Sequence, residues 1–334
     1  MRTASTDGEF VQESIRNDAP STVSKISSWL RLPLRMADFR ERGFRVDRPA
    51  ARAILEEHAR NFLRGFNLAA AHGLAPHEEL HDQVPEEERG FAYEGAGMFA
   101  GLADLLTAGR TRAVRRLLAG PGDGYVHLIN VGAGWLFTPA RVTVVPRLPE
   151  QPLLRWLALD GSGFGEVYFG GLKALRRRAA ARQGPRWEAR LAGCGRALWF
   201  AESADPDGVA EEIGRIAPAA RPHVWAGVGL AVAYAGAADD DALDRLAEFS
   251  TRYREHFLQG VVFGAAARYR SGTVPAHTRR ATGRFLGASA EDAAEWCDTA
   301  AADLTDSMDV HAYLRWKQRL RKLAAERLGS DGED

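Results

Sequence analysis

Cysteine is nearly missing. Cys194 and Cys297 are the only two in 334 residues, too few for a disulfide framework and in no zinc-binding spacing, so a reducing cytoplasm is expected. Lysine is almost as scarce, with Lys25, Lys173, Lys317 and Lys322 the only ones among 44 basic residues. A charge excess is missing too: 44 acidic side chains balance the basic ones, leaving no net field for nucleic acid or an anionic membrane. The first ten residues contain no apolar core of signal-peptide length. No membrane span is expected, because the most apolar run, Val224 to Ala238, is fifteen residues of mainly small side chains, short of the roughly 20 that a span needs. It reads as a buried helix.

What is present points to a soluble, mainly α-helical protein with Gly/Ala-rich close helix packing and at most minor β structure. Hydrophobic residues make up 46% and charged ones 26%, the balance of a chain with a sizeable core. Residues 1–27 are polar and aperiodic and read as a mobile tail. After Asp47 and Pro49, the apolar residues Ile54, Leu55, Phe62, Leu63 and Phe66, with His58, recur at three- and four-residue steps, an amphipathic helix. Arg141 to Val145 is the β-like piece. Leu314, Leu320, Leu323 and Leu328 continue the helical spacing in a C-terminal segment, 309–334, that frays at its end.

The 34 glycines form eight Gly-x-Gly pairs, where about three would arise by chance at this composition. Two of them lie in an echo: Arg89, Tyr93-Glu94-Gly95-Ala96-Gly97 returns 132 residues later as Arg221, Trp225-Ala226-Gly227-Val228-Gly229. This suggests one globular unit, 28–308, of two related halves at about 48–188 and 189–308. Small residues four apart, such as Gly97 and Gly101, share a helix face and let another backbone approach. Gly95-x-Gly97 is not a dinucleotide loop, since no buried strand leads into it.

Three stretches, 90–98, 126–135 and 156–164, join apolar residues and glycines to one or two polar groups and are candidate walls of a pocket. Glu94 and Asp160 stand in them as candidate proton donors or acceptors, because burial raises a carboxyl pKa; the alternative is a structural carboxylate held by a helix N-terminus or by an arginine such as Arg89 or Arg155. Tyr93, Trp135, Trp156 and Trp225 are candidate aromatic walls able to face a cation, and His127 and His223 candidate substrate contacts. His77-Glu-Glu-Leu-His81 matches a zinc-protease pattern, but prolines bracket about two turns of polar sequence and no third ligand follows. Asp240-Asp241-Ala-Leu-Asp244 matches the magnesium motif of class I terpene cyclases, yet acidic residues after a turn commonly cap the next helix. No cofactor is expected, and both metal patterns stand as weak candidates.

Arg42-Gly43-Phe44, Gly90-Phe91-Ala92-Tyr93-Glu94-Gly95-Ala96, Val131-Gly132-Ala133-Gly134-Trp135, Leu154-Arg155-Trp156-Leu157-Ala158-Leu159-Asp160-Gly161 and Trp225-Ala226-Gly227-Val228-Gly229-Leu230 closely resemble the family of unknown function numbered 1702. That resemblance implies a role beside enediyne and other natural-product biosynthesis genes. In the family pattern a His often precedes the glutamate matching Glu166; Gly165 stands there in this chain, a departure that weakens a proton-transfer role built on that pair. The expected activity is cyclisation or isomerisation of a hydrophobic polyene-derived or polyketide-like intermediate, with other biosynthetic enzymes as candidate partners. A non-catalytic carrier of such an intermediate and a metal-dependent cyclase using Asp240, Asp241 and Asp244 are the alternatives.

Overall fold

Proline at the first position of a helix loses no hydrogen bond and presets φ, and helix α2, Pro49–His72, starts on Pro49. Before it, α1, Phe39–Arg42, is one turn; the Asp38 side chain caps it by accepting from the Arg40 and Glu41 N–H groups, and Gly43 ends it at φ 70°. In α2, Leu55, Phe62, Leu63 and Phe66 are buried as their spacing predicts, whereas Ile54 is 45% exposed and lies off the stripe. The computed structural model describes residues 30–137 and 148–330. The tail at 1–27 and the β-like piece at Arg141–Val145 fall outside these.

The remaining helices are α3 (His77–Gln83), α4 (Arg89–Leu106), α5 (Ala113–Leu117), α6 (Val126–Ala133), α7 (Leu157–Ala179), α8 (Pro185–Ala201), α9 (Pro206–Arg215), α10 (Arg221–Ala235), α11 (Asp240–Ser250), α12 (Arg254–Arg270), α13 (Ala276–Leu286), α14 (Ala290–Ala301) and α15 (Val310–Ser330). The fold is mainly α, with no strand among the described residues. No helix among them is long and apolar enough to cross a membrane. Helix α7 is broken at Gly171, where φ is 63°.

Seven helices are joined in series by glycines. Residues two apart in a helix lie about 200° apart around its axis, so a Gly-x-Gly pair offers one bare backbone to the helix before it and one to the helix after it. Gly65 and Gly95 face each other's helices between α2 and α4; Gly97 and Gly132 do so between α4 and α6, Gly134 and Gly161 between α6 and α7, Gly163 and Gly193 between α7 and α8, Gly195 and Gly227 between α8 and α10, and Gly229 and Gly260 between α10 and α12. At each, a Cβ would stand 1.7–2.6 Å from a carbonyl oxygen of the neighbouring helix. These are backbone-to-backbone contacts of the Cα–H···O kind. The first glycines of the five pairs, at 95, 132, 161, 193 and 227, recur every 29 to 37 residues. The offset of 132 is four steps of that series, and the boundary drawn near residue 188 falls in the first turns of α8.

Packing of this kind predicts an asymmetric response to alanine. Gly227→Ala would put a Cβ 1.8 Å from Ala192 O, and separating two backbones costs about 1–3 kcal/mol or more. Gly283→Ala, inside α13 where a Cβ meets nothing within 4 Å, should instead stabilise by up to about 1 kcal/mol. Urea midpoints of the two variants check this; a destabilised Gly283→Ala or a neutral Gly227→Ala would refute the close-contact account.

Candidate functional site

The glycine contacts bring three charged residues together. Glu94 precedes Gly95 on α4, Asp160 precedes Gly161 on α7, and Arg196 follows Gly195 on α8. Where the backbones touch, these neighbours converge on the middle of the bundle, 3%, 3% and 6% exposed. Arg196 Nε donates to Asp160 Oδ1 at 2.7 Å, and Nη2 lies 2.6 Å from the same oxygen. Glu94 Oε1 accepts from Trp135 Nε1 at 2.9 Å and stands 3.6 Å from Arg196 Nη2. The guanidinium carbon is 4.8 Å from the centre of the Phe164 ring.

One cation thus faces two carboxyls. Burial drives both carboxyl pKa values up, and Arg196 opposes the rise at each. The Asp160 charge adds to the rise at Glu94, whereas Lys317 joins Arg196 in opposing it at Asp160. Asp160 has the shorter contacts to the guanidinium and sits in the first turn of α7, where the helix dipole favours an anion. Of the two carboxyls, Asp160 is therefore the better held as an anion.

Two apolar cavities adjoin the trio, each with about 650–670 Å³ of free space, mouths included. The first is walled by His58, Phe62 and Leu63 of α2, Phe91, Glu94 and Met98 of α4, Phe164 and Tyr168 of α7, Phe200 of α8, Ala231 of α10, and Trp135 from the turn that follows α6. Trp135 stands at its centre, with ring centroids 4.2 Å from Phe62 and 4.8 Å from Phe164. The second lies among α6, α7, α8, α10, α12 and α15, with His127, Asp160, Gln259, Phe263, Tyr313, Trp316 and Lys317 on its walls. Arg196, Leu230 and Tyr234 border both, so the charged trio is the partition between them.

Of the residues singled out in the sequence, Glu94 and Trp135 meet at the first cavity, and Asp160 and His127 at the second. His127 is pushed down to about 3 by burial and by Arg270, whose Nη1 is 3.5 Å from its Nε2; it is a neutral wall. Tyr93, Trp156, His223 and Trp225 line neither cavity. Tyr93 stacks on Tyr125 at 4.1 Å, Trp225 packs edge-on to Phe257, Trp156 has the Arg155 and Arg186 guanidinium groups over it, and His223 lies against Trp187 and His256. The arginine that holds the carboxylates is Arg196, not Arg89 or Arg155. Glu166 is bound by Arg177 and Arg178 at 3.0 and 2.7 Å.

Neither metal pattern gathers a ligand set. His77 Nδ1 is 3.0 Å from Tyr93 Oη, while His81 is exposed beside Asp82. Asp239 caps α11 by accepting from Ala242 N–H, Asp240 and Asp244 face Arg280 and Arg284, Asp241 is exposed, and none of them borders the two cavities. Among the described residues no three His, Cys, Asp or Glu side chains come together as a metal set.

Sequence reasoning missed Arg196 and Lys317. Both left a trace: Arg196 adjoins a Gly-x-Gly pair as Glu94 and Asp160 do, and Lys317 sits inside the apolar stripe Tyr313, Trp316, Leu320. Comparison with protein families matches residues 26–324 to the model described as a protein of unknown function (DUF1702). Comparison with curated proteins and with solved structures returns no match.

Proposed function

We propose, from the premise that this chain belongs to the DUF1702 family, that it acts in the biosynthesis of a hydrophobic natural product, isomerising or cyclising a polyene-derived or polyketide-like intermediate by proton transfer. The observation that carries the reading is Glu94: a buried carboxyl with a raised pKa, on the wall of an aromatic cavity. A neutral acid in such a place can protonate an alkene or a similarly weak base. Oε1 is held by the Trp135 N–H, and Oε2 has no hydrogen bond among the described residues, so Oε2 is the oxygen that delivers the proton. The carboxylate left behind is stabilised by the Trp135 N–H and by Arg196 Nη2. Phe62, Trp135, Phe164 and Tyr168 present ring faces to positive charge developing on the substrate. Loss of a proton from the product cation back to Glu94 closes the cycle, so no cofactor is consumed.

A carrier that holds the intermediate for partner enzymes is the second reading. It is favoured by Asp160 and Glu94 already having protein partners, as purely structural carboxylates do. Native mass spectrometry of the protein from its producing host, followed by denaturing extraction, identifies a bound intermediate. With that compound, Glu94→Gln should lower product formation by about 100-fold or more while leaving binding in place. Activity should fall as pH rises through the raised pKa of Glu94, because the donor is then ionised. Full turnover by Glu94→Gln would sink the proton-donor role and leave the carrier.

A further inference from the structure

The second cavity contains a buried ammonium that donates to no oxygen of the described residues. Lys317 on α15 is 3% exposed, and among the described residues its Nζ has no hydrogen-bond partner. Its nearest aromatic neighbour is the Tyr313 ring, 5.6 Å from Nζ to the centroid. Buried polar groups are nearly always satisfied, and an unpaired buried ammonium is among the costliest exceptions.

Asp160 favours its charge from across the cavity but makes its close contacts elsewhere. Asp160 on α7 is taken by Arg196 on α8. Glu188 on α8 and Arg321 on α15 also act on Lys317, with opposite signs. His223 on α10 and His256 on α12 are both pushed down to about 3 by burial and are neutral at physiological pH. None of these groups accepts a hydrogen bond from Lys317 Nζ. Beside it on the cavity wall, Gln259 is 1% exposed, and its Oε1 accepts from Arg321 Nη1 at 2.6 Å; this fixes the amide so that its NH2 remains a donor.

We propose that the second cavity binds an apolar monocarboxylate, whose head group gives Lys317 Nζ the hydrogen-bond acceptor that the protein does not supply. Gln259 Nε2 is the second donor, and Leu128, Val131 and Phe263 cover the hydrocarbon part. A single unsatisfied ammonium and one neutral amide match a monoanion; a phosphate or diphosphate, with more charge to balance, would need further cations. This site lies across the charged partition from the cavity that Glu94 lines, and it does not depend on proton transfer.

The test is a tryptophan-fluorescence titration of the full chain with decanoate and with 1-decanol, both below their aggregation concentrations; Trp316 on the cavity wall is the reporter. The wild type should bind decanoate at least about tenfold more tightly than the alcohol, the scale of one charge-assisted hydrogen bond. Lys317→Met should abolish that preference, and Gln259→Leu should reduce it. Glu94→Gln should leave it intact, which separates this proposal from the proton-donor reading. Equal affinities in the wild type, no binding of either probe, or a preference that survives in Lys317→Met would each overturn it.

Discussion

Arg196→Met should destabilise the fold by about 3–5 kcal/mol near neutral pH, the range seen when one partner of a buried ion pair is removed. Methionine replaces most of the stem volume and keeps contact with the Phe164 ring, so the loss reports charge rather than space. Asp160 would then lose its close contacts and keep only the influence of Lys317, and Glu94 would retain only the Trp135 N–H. Both carboxyls would be driven further toward their neutral forms. The sign of the pH dependence follows: the variant's folded state holds protons that its unfolded state, with carboxyl pKa near about 4, gives up. The deficit is therefore largest at neutral pH and above, and shrinks toward zero as pH falls to about 4. Denaturant midpoints at pH 4, 6 and 8 measure it, and Asp160→Asn in the same background should recover part of the loss. A deficit of equal size at all three values would mean that Arg196 acts by packing alone.

Lys317→Met should have the opposite effect and stabilise the protein by about 3 kcal/mol at pH 7. Burial lowers the Lys317 pKa from 10.5 to about 8, and at about 1.4 kcal/mol per unit that is the penalty for carrying the charge inside. Because the unfolded state binds the proton more readily between pH 8 and 10.5, wild-type stability rises with pH across that window. The advantage of the variant should therefore fade through it and vanish at its upper end. Thermal melts at pH 7 and pH 10 check both halves. A more stable variant that has lost its affinity for decanoate would show why the lysine is there: residues that destabilise a fold persist where binding needs them.

The helical class was legible because it rests on periodicity within single segments: the Leu55–Phe66 stripe, Pro49 at a helix start and the leucine spacing after Val310 all report local structure. Glycine excess was legible as close packing, but the spacing that matters is two, on opposite faces, rather than the four that Gly97 and Gly101 suggested. Site residues were harder to place. Tyr93 adjoins Glu94, yet a step of about 100° round α4 turns it toward Tyr125 and His77, away from the cavity; Trp225 is carried away from the cavities in the same manner on α10. Local aromatic content does not say which face is inside. Arg196 and Lys317 depend on long-range assembly: the guanidinium meets carboxyls 36 and 102 residues earlier in the chain, and the amine reaches the second cavity only because α15 packs back on α8, α12, α14 and the turn Leu153–Trp156.

The glycine series also bears on how such a protein can change. In most helical cores, side chains set the spacing between helices, so a substitution that reshapes a binding space also shifts its frame. Here main-chain contacts hold the seven-helix series at fixed separations, and the groups that face the two cavities, among them Met98, Leu230 and Phe263, are free of that duty. Exchanging them recontours the chamber without moving its walls. A lineage of such chains can diversify its ligands by altering the lining alone, while the residues that keep the frame in register have no side chain to lose.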